Sequence, residues 1–159
     1  DNNMSAKSQF LQQLRERQSV PEHFSGNSQA DIALFHLRMD LLYQQMDCWL
    51  SESGLIPETQ TVLVSVLLAD SRAFELPAIS VSYQQRIVRF TPLFLYGQGV
   101  TGCTEVTLHA EGVMTSLGRL FMRTSSPGGW VFNPQSTPTR SGVIFDEEGF
   151  FRLIACLLP

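Results

Sequence analysis

Between Pro77 and Pro92 the chain reads PAISVSYQQRIVRFTP, and this stretch restricts the fold more than any other. With Gln84 and Gln85 as a two-residue turn, Tyr83 stands opposite Arg86, Val81 opposite Val88 and Ile79 opposite Phe90, giving two antiparallel strands one shared apolar face. The reverse face carries Ser80, Ser82 and Arg89, with Ile87 its one apolar member. A slip of one residue would exchange the faces, so the alternation selects the register. Pro77 and Pro92 fall opposite each other, where absent amide donors end pairing on both strands together. Gln-Gln lacks the Asn-Gly or Asp-Gly chemistry that favours positive φ, which leaves a longer loop as the alternative.

Helical periodicity brackets this hairpin. Phe10, Leu11 and Leu14 predict a short amphipathic helix from Ser5 to about Arg17, and Ser19 to Asn27, with Pro21 and Gly26, reads as a loop. Ser28, with Asp31 three residues on, caps a long helix to about Ser53, stopped by Gly54. Ile32, Phe35, Met39, Leu42, Met46 and Trp49 recur at steps of three and four, and Leu34, Leu41 and Leu50 widen that stripe. The same spacing could seed a helix pair between two subunits, although charged flanks are lacking. At the other end Asp146 caps a final helix with Glu147 and Glu148 in its first turn, and Phe150, Phe151, Ile154, Leu157 and Leu158 give it a wide apolar face.

The middle of the chain reads as strands. Thr61 to Leu68, TVLVSVLL, is expected to be a central strand buried on both faces, with a buried helix as its competitor. Gly112 to Gly118 is expected to be a loop or a short helical turn. Leu120–Arg123 and Trp130–Phe132 should be short strands joined by a Pro127-Gly128-Gly129 turn, Asn133 to Gly142 a polar loop, and Val143–Phe145 a last short strand.

Gly97, Gly99 and Gly102 have the G-x-G-x-x-G spacing, but a dinucleotide site needs that turn to open a helix. Here Thr104, Val106 and Leu108 alternate like a strand, so the glycines fit a bulge or bend better, and no cofactor is implied. Cys103, Glu105 and His109 could be nucleophile, orienting acid and base. In a regular strand, however, residues six apart lie roughly 20 Å from each other, so only a bend, or pairing of Cys103 with His23 or His36, would assemble a site. Three histidines and three cysteines without ligand spacing imply no metal centre.

Composition bounds the rest. A chain of 159 residues that is 43% hydrophobic can bury a proper core as one domain. A net charge of −4 argues against general nucleic-acid binding. Cys48, Cys103 and Cys156 are odd in number and far apart, which fits reduced thiols in a cytoplasmic setting, with Cys156 in the core. Lys7 is the single lysine, consistent with an arginine-biased bacterial genome or with a secreted effector that avoids lysine modification. Neither a leader nor an 18-residue apolar membrane span is apparent.

These readings predict an α+β domain: a mostly antiparallel, twisted sheet covered on one face by a long N-terminal and a short C-terminal helix, with residues 1–27 as an arm and 28–159 as the domain. The expected function is a non-enzymatic protein-interaction module, a bacterial accessory, adaptor or effector-associated protein whose partner is another protein or a second copy of the chain. One alternative is a small-ligand binder using Phe35, Trp49, Tyr83, Arg86, Phe90 and Tyr96. The other is a thiol-dependent enzyme using Cys103 with His109.

Overall fold

A computed structural model describes residues 5–65, 73–96, 100–123, 129–134 and 142–159; of residues 14–28 and of Arg123 it describes the backbone alone. Among the described residues, one helix, α1 (Ala6–Trp49), is followed by seven antiparallel strands in chain order: β1 (Glu58–Ser65), β2 (Ala73–Tyr83), β3 (Arg86–Phe94), β4 (Val100–Ala110), β5 (Val113–Arg123), β6 (Trp130–Pro134) and β7 (Val143–Ile144). A short helix, α2 (Glu147–Ile154), runs into a single tighter turn at Ala155–Leu157. The protein is therefore an α+β domain built on an antiparallel meander.

The hairpin forms in the expected register, with Tyr83 against Arg86, Val81 against Val88 and Ile79 against Phe90. Gln84 takes a φ of +56°, the positive value that a two-residue turn demands even of a residue poorly suited to it. Pairing of β2 with β3 ends at Ile79–Phe90. Counting out from the turn, hydrogen-bonded pairs alternate with non-bonded ones, so Pro77–Pro92 is the next bonded position and neither residue has an N–H to offer. Each strand instead continues against its outer neighbour, Pro77 beside Thr61 and Pro92 beside Thr104. At the same place the burial pattern of β2 changes phase, Leu76 and Ala78 being buried on one alternation and Ile79 and Val81 on the other.

The core lies between the helices and one face of the sheet. Phe35, Met39, Leu42 and Met46 of α1, Leu50 at its C-cap, and Phe150, Ile154 and Leu157 near the C-terminus form one cluster with Ile79, Val81, Val88, Phe90, Val106 and Leu120. Phe150 is its aromatic hinge, with ring centroids 5.2 Å from Trp49, 6.3 Å from Phe145 and 6.5 Å from Phe90. Full burial of each such ring stabilises the fold by about 1.5–3 kcal/mol. Gly102 allows the sheet to approach α1, since a Cβ there would meet Met122 Sδ at 2.7 Å and Phe35 Cδ2 at 3.4 Å. The β4–β5 register shifts between Val100 and Cys103, which is the bulge expected of this glycine-bearing stretch. As expected, Asp146 caps α2, its Oδ1 accepting from the Gly149 amide at 2.8 Å.

Several local expectations are corrected. The run starting at Thr61 is not a central strand: β1 is the sheet edge, its burial mostly exposed, and residues 66–68 lie outside those described. Valine-rich runs occur at edges as well as centres, because β-propensity reports a pleated surface and not its depth. The backbone stays helical through residues 19–27, where Pro21 and Gly26 point to a loop, and the N-cap is Ser5, whose Oγ accepts from the Ser8 amide, instead of Ser28. One interior proline costs a helix about 3 kcal/mol, and Ser25, Gly26 and Asn27 are weak helix formers, so the local sequence gives no physical reason for the continuity. Gly112 to Gly118 is not a loop but the start of β5, entered through a tight Glu111-Gly112 turn with φ of +55° and +74°. Cys156 is half-buried, not core.

Candidate functional site

Cys103, Glu105 and His109 do share a face. Thr104 points at the helix, its Oγ1 reaching Met39 Sδ at 3.4 Å, so the odd-numbered residues of β4 face away from α1. They do not share a site. Cys103 pairs with Phe121 and His109 with Met114, at opposite ends of an unbroken run of β4, roughly 20 Å apart by strand rise. Glu105 Oε1 accepts from Ser116 Oγ at 3.2 Å, and His109 Nε2 lies 3.0 Å from Thr107 Oγ1; neither contact includes the thiol. Burial pushes the Cys103 thiol up to about 12, an effect that Arg119 opposes and Glu105 adds to, so burial favours the protonated thiol at neutral pH. His36 stands on the far side of the sheet from it, with Nδ1 3.0 Å from Asp40 Oδ2, and the His23 side chain lies outside those described. Among the described residues, no three His, Cys, Asp or Glu side chains gather as metal ligands.

The six residues read as a ligand set are dispersed by the fold. Phe35 and Phe90 are wholly buried core, and Trp49 packs on Phe145 and Phe150. The Tyr96 hydroxyl donates to Asp31 Oδ2 at 2.8 Å, tying the end of β3 to α1. Arg86 Nε donates to the Cys156 carbonyl at 3.0 Å. Tyr83 borders a cleft of about 350 Å³ lined by Leu50, Leu55, Ile154, Leu157 and Leu158 among others.

A second surface was not assigned from sequence. Leu34, Leu37 and Leu41 lie roughly 140° to 160° round α1 from Met39, given 100° per residue. They are 38%, 53% and 47% exposed, so Leu34 and Leu41 do not widen the core stripe as the spacing implies; with Leu37 they form a row of their own. Between this row and Trp130 runs a groove of about 280 Å³, floored by Arg38, Gln45 and Gly129. The signal was present in the sequence, because three leucines at steps of three and four repeat the core spacing on a displaced face. The surface is a largely apolar row along the helix, bordered by the Trp130 ring.

No family model, no curated protein and no solved structure matches this chain. Among the described residues, no helix is long and apolar enough to cross a membrane.

Proposed function

We propose that this protein is a non-enzymatic interaction module that receives an amphipathic helix of a partner protein along α1. The exposed row of Leu34, Leu37 and Leu41 beside Trp130 carries this reading. Positions i, i+3 and i+7 are the anchors by which one helix accepts another, and an exposed leucine row loses water on docking at about 25 cal/mol per Å². The arginine-biased basic set, with Lys7 its single lysine, supports a bacterial accessory or adaptor role.

Helical peptides selected from a displayed library against the full chain test it. Leu37→Glu with Leu41→Glu should abolish their binding while the melting temperature holds. A library that yields no binders, or binders indifferent to the two substitutions, removes the reading.

A second reading, a small-ligand binder, is favoured by the cleft beside Tyr83, which has the size and apolar lining of a modest ligand site. Raised melting with small hydrophobic ligands, lost on Leu158→Glu, would support it; an unchanged melt across such ligands would not.

A further inference from the structure

The free edge of β1 has a backbone pattern that can be worked out residue by residue. Tyr83, Val81 and Ile79 make the bonded pairs with β3, so the intervening Ser80, Ala78, Leu76 and Phe74 turn their N–H and C=O groups to β1. Their partners there are Glu58, Gln60, Val62 and Val64, in a register without a shift. Thr59, Thr61, Leu63 and Ser65 consequently aim their backbone groups outward, where no strand lies among the described residues.

Sheet edges are ordinarily guarded by lysine, proline, a bulge or short length. β1 has eight residues, no lysine, no proline and no bulge, and its only charge is Glu58 at the very start. Leu63 stands 70% exposed on it. The opposite edge, β7, has only two residues and cannot receive β1 in a head-to-tail filament.

We propose that β1 is a self-association edge, pairing antiparallel with β1 of a second copy about a two-fold axis at Val62. This goes beyond the helix-docking reading and uses a different surface. In that register Thr61 faces the partner's Leu63 and Thr59 faces the partner's Ser65, so all four outward residues of each copy fall on hydrogen-bonded positions, for about eight new backbone hydrogen bonds. Val62 meets the partner's Val62 on the axis, a favourable β-branched pair. The two Glu58 carboxylates lie at opposite ends of the joint, so no like charges face each other. A second copy thus satisfies the edge in backbone, side chain and charge at once, and extends each sheet into a single continuous one.

Sedimentation equilibrium of the full chain tests the proposal. The wild type should form a dimer at micromolar to hundred-micromolar concentration. Thr61→Pro removes an outward N–H that no bond within the protomer uses, and should weaken the dimer about a hundredfold or more with melting largely retained. Leu63→Lys, at an exposed side chain, should do the same and serves if the proline variant fails to fold. In a Cys48→Ser background, Val62→Cys should yield a disulfide-linked dimer on mild oxidation, whereas Val64→Cys, facing the partner's Gln60, should not. A wild type that stays monomeric, a dimer that survives both edge substitutions, or crosslinking through Val64→Cys in place of Val62→Cys overturns the proposal.

Discussion

Arg86 Nε donates to the Cys156 carbonyl oxygen at 3.0 Å, fastening the β2–β3 turn to the last helical turn of the chain. A residue that the sequence marks as a binding candidate is thus a clamp. A charge-assisted hydrogen bond of this kind, half-buried, contributes about 1–2 kcal/mol. Arg86→Ala should lose that amount in denaturant unfolding, and hydrogen exchange should quicken at the amides of Cys156 to Leu158, while those of β4 and β5 keep their protection.

Two turns place non-glycine residues at positive φ, and the sign of a substitution's effect there should follow from how well the new residue tolerates that angle. Gly112, at φ +74°, has open space where a Cβ would go, so Gly112→Ala should cost about 1 kcal/mol through backbone strain alone. Glu111→Asn creates the Asn-Gly pair that a turn with two positive φ values prefers, and Gln84→Gly relieves the +56° at the other hairpin. Each should stabilise by about 0.5–1 kcal/mol, read as a rise in melting temperature of a few degrees.

The contrast between these hairpins explains what was legible. Between Pro77 and Pro92 the period-two pattern is unbroken on both strands, so register, turn and end of pairing could all be read. In β5 the register steps from Val106–Gly118 to Thr107–Ser116, leaving Leu117 as an extra residue, and the step breaks the alternation that would have revealed a strand. Gly118 fits this irregular place because a Cβ would strike the Phe132 ring at 2.7 Å, yet in sequence it resembles a loop glycine. The depth of β1 was hidden for another reason: an apolar run shows what can be buried, not which neighbours the chain will supply. The candidate site was less legible still, since the ligand set was chosen by residue type, and rings as large as Phe35 and Phe90 serve packing first.

The buried thiol gives the stability a defined alkaline limb. Cys103 ionises at about 12 in the folded protein against 9.0 when unfolded, chiefly because burial disfavours the thiolate. Its raised value means that the stabilising contribution is complete below pH 9 and is lost as pH climbs toward 12, where the unfolded chain releases a proton that the folded one retains. Unfolding free energy should fall by about 1.4 kcal/mol per pH unit in that window from this group, and Cys103→Ala should flatten that part of the curve. At neutral pH a thiol reagent should modify exposed Cys48 first, half-buried Cys156 more slowly and Cys103 only on unfolding. Selective fast labelling of Cys103 would instead restore the thiol-enzyme reading.

Neighbouring apolar residues on α1 should separate by function when truncated. Met39 is fully buried and touches the Thr104 hydroxyl, so Met39→Ala leaves a cavity under the sheet and should cost about 2–5 kcal/mol. Leu37, two residues earlier, is 53% exposed, so Leu37→Ala should stay within about 0.5 kcal/mol of wild type. If the outward row were instead part of the core, both truncations would lower stability alike. Paired unfolding curves for the two variants decide between these outcomes, and a Leu37 cost near that of Met39 would leave no spare apolar row for a partner helix to cover.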